Sequence, residues 1–271
     1  MTLFTSFDPN SEIVDSPLRI GWFTSGSGDG SLGLLRSTTD AIAAGTLNAR
    51  IEFVFCNREK GQRAKTDLLL EYVDENQIPL VTLSSYRLQR KYECIPRPKF
   101  REMFDSEVID LLQPYSPQLS VHAGYMLIAP LLVKNFLTIN LHPALPDGPQ
   151  GTWQQVIWHL IDQKARESGV MVHVSTPDVD KGPVLAYCRY ELTENSLDSM
   201  WSNIDGLSSV EIKQSEGESN DLFIAIRSAG LERERRILVA TLIAIANGRI
   251  DPSNPQATTP VDMTNLIELG S

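Results

Sequence analysis

Cysteine is scarce in this chain. Cys56, Cys94 and Cys188 are odd in number, widely scattered and without metal-ligand spacing, which argues against a disulfide scaffold or a zinc site. Long apolar runs are missing too. None approaches the roughly 20 residues a membrane helix needs, so no bilayer span is expected. Basic residues are outnumbered, 24 Lys and Arg against 34 Asp and Glu, for a formal charge of −10. That balance works against nonspecific attraction to nucleic acid and favours small-molecule partners. The first residues carry Asp8, Glu12 and Asp15 and no basic start followed by an apolar block, so they do not read as a secretory signal. The expectation is a cytoplasmic protein without nucleic-acid or membrane partners, monomeric or homodimeric. Internal repeats and low-complexity tracts are also absent.

What remains is a 271-residue chain with 42% hydrophobic residues, enough for one continuous core. Residues 18–24, 51–56, 79–83, 118–122 and 137–141 read as strands. Helical spacing falls between them, near Leu32, over 62–76, over 99–112 and over 129–136. Strands alternating with helices predict an α/β fold of Rossmann-like type, a mainly parallel sheet with helices on both faces. A helix over 152–163 follows, then two strands, 170–174 and 184–192, joined by a turn. The expected division is an N-terminal extension (1–17), an α/β domain (18–192) and an insertion or lid (193–220). Helices at 221–250, broken near Gly230, would complete the same domain, and 251–271 would be a surface tail.

Two places carry chemistry. Ser25-Gly26-Ser27-Gly28-Asp29-Gly30-Ser31 is a glycine-rich turn between the first strand and first helix, offering backbone N–H groups suited to a phosphate. A plain turn and a dinucleotide loop are the alternatives. The last is disfavoured because the third glycine of G-x-G-x-x-G would fall at Ser31, and Cys56-Asn57-Arg58, with no acidic residue, ends the second strand. The second place is Thr138-Ile139-Asn140-Leu141-His142-Pro143. Asn140 and His142 lie two apart, hence on one side of an extended strand that Pro143 ends. In the turn Asp178-Val179-Asp180-Lys181-Gly182-Pro183, Asp180 is a fitting carboxylate partner for His142, with Asp178 its competitor. Amide, imidazole and carboxylate together suit acyl or formyl transfer. His173, inside an apolar strand, reads as a structural hydrogen-bonded residue, His122 is ambiguous, and His159 reads as facing solvent or a neighbouring side chain. No metal set emerges. Arg227, Arg233, Arg235 and Arg236 read either as a solvated helix face or as charges near a phosphate.

The Asn-x-His-Pro and Asp-x-Gly-Pro segments, in this order, resemble the signature of the folate-dependent formyltransferases, most closely the branch that formylates glycinamide ribonucleotide. The resemblance spans residues 18–190, with a weaker echo over 233–250. It implies a Rossmann-like fold and transfer of a formyl group from 10-formyltetrahydrofolate, as co-substrate and without a metal, to an amine in purine biosynthesis. By motif, the catalytic residues would be Asn140, His142 and Asp180. Tyr125, Met126, Leu127 and Ile128, with Arg101 and Asp178, would bind the folate. Ser25, Gly26, Ser27, Gly28, Gly30 and Ser31, with Glu234, would take the substrate phosphate. Relatives commonly carry Arg where Leu127 stands, and Asp29 would repel a phosphate if its carboxylate pointed inward.

Overall fold

A computed structural model describes residues 16–92, 94–178, 180–193, 197–257 and 259–268. Most of the expected N-terminal extension (1–15), residues 194–196 of the expected insertion and the last three residues lie outside the described residues. The chain runs β1 (Leu18–Thr24), α1 (Asp29–Ala43), β2 (Ala49–Cys56), α2 (Ala64–Glu75), β3 (Leu80–Thr82), α3 (Ser85–Lys91) and α4 (Arg97–Leu111). It continues β4 (Leu119–His122), α5 (Leu132–Asn135), β5 (Thr138–His142), α6 (Trp153–Asp162), β6 (Glu167–Val174) and β7 (Val184–Glu191). It closes with α7 (Leu197–Asn203), α8 (Ser209–Ser215), α9 (Asp221–Ala246), β8 (Val261–Asp262) and α10 (Thr264–Glu268).

The strands form one sheet in the order β3-β2-β1-β4-β5-β6-β7-β8. Pairing is parallel from β3 to β5 and between β7 and β8, while β6 is antiparallel to both neighbours. This is the α/β architecture that the strand and helix rhythm predicts. Alternation along the inner strands splits the core in two. Trp22, Val54 and Cys56 face the larger cluster with α1, α6 and α9, whereas Phe23, Phe53 and Phe55 face an aromatic cluster with Phe100 and Phe104 of α4. The Phe23 and Phe53 rings meet edge to face at 5.5 Å, a favoured aromatic geometry. Strand order reverses between β1 and β4, so a crevice opens beyond their carboxyl ends, where ligands of such sheets bind.

Three local expectations change. The helix after the glycine turn begins at Asp29, earlier than its apolar pattern starts. No break occurs near Gly230, because α9 is one continuous helix of 26 residues. Phe223, Ile226, Ile237, Leu238 and Leu242 of α9 are buried. At about 1.5–3 kcal/mol each, their burial outweighs the roughly 1 kcal/mol helix cost of one glycine. Within the expected insertion or lid, residues 197–219 form α7, α8 and a 3₁₀ turn, and Ile204 and Ile212 are buried in the larger cluster. Finally, the expected surface tail adds β8 to the sheet and buries Met263 and Ile267.

Candidate active site

Strand register builds the floor of the crevice. Phe23, His122, Asn140 and His173 are successive partners across β1, β4, β5 and β6, so three polar side chains stand in one row on one face. The turn after β6 closes over this row with Asp180, whose φ is +56°, a left-handed conformation that Asp tolerates better than most residues. Gly182 lets the turn fold back, since a Cβ there would run into the Val174 carbonyl oxygen.

The result is a convergent polar cluster. Asn140 Nδ2 lies 3.4 Å from Asp180 Oδ1 and 3.4 Å from His173 Nε2. His142 Nδ1 is 3.5 Å from Asp180 Oδ2, and His173 Nε2 is 3.6 Å from Asp180 Oδ1. Two carbonyls hold the far sides of the imidazoles: His142 Nε2 donates to Pro149 O at 2.8 Å and His173 Nδ1 to Val174 O at 3.0 Å. Because the carbonyls only accept, a proton stands on His142 Nε2 and on His173 Nδ1. Burial pushes the Asp180 carboxyl up, but the hydrogen bond from His173 and the charges of His142 and His173 prevail and hold it below the ordinary value. Asp180 is therefore ionised at neutral pH. His122 goes the other way: burial, reinforced by His173, lowers it to about 3, leaving a neutral ring packed against Phe23 and Tyr125.

The cluster opens into a cavity of about 420 Å³. Its lining includes Tyr125, Met126, Leu127 and Ile128, continuing to Ala129 and Pro130, and Ser27, Gly28, Gly30 and Ser31 at the start of α1. Asp105 of α4 fixes the first of these segments by accepting from the Leu131 and Leu132 N–H groups at 2.9 and 3.3 Å. Trp153, Arg227 and Glu234 complete the rim. Arg227 pairs with Glu234 at 2.7 Å and lies over the Trp153 ring at 4.5 Å.

The sequence-predicted residues thus divide. Asn140, His142 and Asp180 come together, as do Tyr125 to Ile128, Ser27, Gly28, Gly30, Ser31 and Glu234 around the same cavity. Ser25 and Gly26 do not line it. The Ser25 hydroxyl accepts from Met126 N, and its carbonyl accepts from Arg58; the Gly26 carbonyl accepts from Thr66 Oγ1. Both therefore pin the turn to its neighbours. Arg101, on α4, and the exposed Asp178 also lie outside the cavity lining. Glu234 faces the Arg227 guanidinium, and a carboxylate so placed repels rather than binds a phosphate. Asp29 is kept from the cavity by Lys65, at 2.5 Å. Sequence reasoning missed His173 as a member of the cluster; the available signal was a polar residue inside an apolar strand, but only the β5 and β6 register sets it beside Asn140. Among the described residues no group of three or more His, Cys, Asp or Glu is placed to hold a metal ion, and no helix is long and apolar enough to cross a membrane.

Comparison with known proteins shows the family. The family described as formyl transferase matches residues 19–203. A phosphoribosylglycinamide formyltransferase of Dictyostelium discoideum is 31% identical over 165 residues, 56% of this chain and 74% of that protein. The enzyme of the same name from Saccharomyces cerevisiae is 30% identical over 190 residues, 64% of this chain and 83% of that one. Among solved structures, the phosphoribosylglycinamide formyltransferase of Coxiella burnetii superposes with a TM-score of 0.60 at 23% identity, covering 86% of this chain and 89% of that one. A formyltetrahydrofolate deformylase from Pseudomonas syringae gives 0.61 at 18% identity, covering 87% and 63%, and both of these are likenesses of fold. With a family match over more than half its length and its signature residues gathered in one cavity, the chain belongs to the formyl transferase family.

Proposed function

We propose that this protein transfers the formyl group of 10-formyltetrahydrofolate to the primary amine of glycinamide ribonucleotide, a step of purine biosynthesis. The observation that carries the reading is the convergence of Asn140, His142 and Asp180 at the floor of one cavity, in a chain 30–31% identical to enzymes named for that reaction. The partly apolar wall from Tyr125 to Ile128 suits the flat ring of the formyl donor. Ser27, Gly28, Gly30 and Ser31 suit the acceptor's phosphate, because Gly28, the N-cap of α1, offers no side-chain cap and the first N–H groups of a helix need an acceptor. Cytoplasmic action on small molecules, as monomer or homodimer, accompanies this reading.

In the proposed mechanism the acceptor nitrogen attacks the formyl carbon, forming the new C–N bond as the carbonyl oxygen becomes an oxyanion. Asn140 Nδ2 and the Nε2–H of doubly protonated His142 donate to that oxygen, placed before the reaction begins. The Pro149 carbonyl now accepting from Nε2 gives up that proton contact to the formyl oxygen. Asp180, ionised and fixed by His142 and His173, accepts a proton from the attacking nitrogen through water. That proton passes to the folate nitrogen as its bond to carbon breaks. His173 acts by positioning Asp180 and Asn140.

Loss of 10-formyltetrahydrofolate, followed by absorbance with and without glycinamide ribonucleotide, tests the reading. Acceptor-dependent loss is expected, and His142→Ala should lower kcat on the order of 10²–10³-fold. Donor loss that ignores the acceptor, or an undiminished His142→Ala rate, overturns it.

A further inference from the structure

Among the described residues, Arg227 is the sole Lys or Arg lining the cavity. Three contacts fix its guanidinium. Nη1 is bonded at 2.7 Å to Glu234, two helical turns on along α9 and only 8% exposed. The ring of Trp153 lies 4.5 Å from its Cζ. Gly30 leaves the space Arg227 occupies, for a Cβ there would stand 3.3 Å from Nη2 and 3.0 Å from Leu231. The guanidinium is thereby held beside Gly30 in the first turn of α1, on the lining of the cavity. Nε and Nη2 have no hydrogen-bond partner among the described residues, and neither is a buried unsatisfied atom, so these donors stay accessible on a residue that lines the cavity. A planar fork with two free donors beside backbone N–H groups fits a phosphate dianion better than a carboxylate does.

We infer that Arg227 is the phosphate-binding side chain of the acceptor site and that Glu234 and Trp153 act as positioning residues, clamping its guanidinium in place. This rests on the function proposed above and replaces Glu234 as a direct phosphate contact. Glu234 supplies the one bond that orients the fork, while the phosphate takes Nε and Nη2.

The test compares kcat/KM for glycinamide ribonucleotide and for its dephosphorylated nucleoside in wild type, Arg227→Met and Arg227→Lys. Charge-assisted bonds of this kind predict that Arg227→Met shrinks the ratio of the two values by roughly 10–100-fold. The loss should appear in KM for the phosphorylated acceptor more than in kcat. Arg227→Lys, which keeps charge but loses the fork, should recover only part of it. Inhibition by inorganic phosphate should weaken in parallel. Because Arg227→Met strands the Glu234 carboxylate, the double variant Arg227→Met with Glu234→Gln is measured alongside and should show the same reduced ratio. An unchanged ratio in a folded variant, with both acceptors falling equally or neither falling, overturns the assignment. If wild type turns over neither acceptor, the proposed reaction itself has failed, a result distinct from an unchanged ratio.

Discussion

Replacing Asp105 with Asn should abolish the pH dependence that this residue imposes on stability. Asp105 lies 1% exposed on α4, and its carboxylate holds the start of α5, the element behind the apolar cavity wall. Burial raises its pKa from 3.8 to about 6, even though bonds from the Leu131 and Leu132 N–H groups pull it down. The folded protein therefore binds this proton more tightly than the unfolded chain. The stabilising contribution is fully present below the unfolded value and is lost as pH rises through the folded value of about 6. Two pKa units correspond to about 3 kcal/mol. Asn cannot ionise, yet its side-chain oxygen can still accept from both N–H groups. The stability of Asp105→Asn relative to wild type should accordingly improve by up to about 3 kcal/mol between about pH 3.5 and pH 7. Urea unfolding at several pH values reads this directly. In thermal scans it corresponds to a relative Tm change of roughly 6–12 °C for a chain of this size. Parallel curves for the two proteins across that range would refute the reasoning, because they would mean that Asp105 titrates alike in the folded and unfolded states.

Gly182→Ala should destabilise the fold by about 3 kcal/mol or more, since the new Cβ meets the Val174 carbonyl rather than a mobile side chain. It should also lower activity by displacing Asp180, and a variant with wild-type unfolding midpoint and turnover would contradict the tight-turn account. Thiol titration with a disulfide reagent at pH 8 should find one fast group in the native protein and three after unfolding. Cys94 is exposed, whereas burial pushes the Cys56 thiol to about 11 and the Cys188 thiol to about 12, leaving almost no thiolate to react. A second fast thiol in the native state would show that one of these sites opens readily.

The amino-acid sequence by itself determined whatever depends on neighbours along the chain. Period-two alternation put Asn140 and His142 on one side of a strand, and the Asp180 turn with Gly182 followed from local backbone demands. The order of strands and helices sufficed for a mainly parallel sheet with a crevice beyond its strand ends. The motif order led to the formyltransferase resemblance. Tertiary structure decided what depends on register and docking. His173 joins the polar cluster only because antiparallel β6 aligns it with Asn140. Ser25 and Gly26, indistinguishable in sequence from the rest of the glycine turn, are turned inward by Met126, Arg58 and Thr66. Arg227 and Glu234 gain their meaning when α9 packs against α1 and α6, which brings Gly30 and Trp153 to the guanidinium. Gly30 itself looks like a turn residue until that docking gives it a packing role. Local periodicity arises from a few covalent bonds, whereas these contacts join segments tens to hundreds of residues apart, and the burial that fixes them is a property of the whole core.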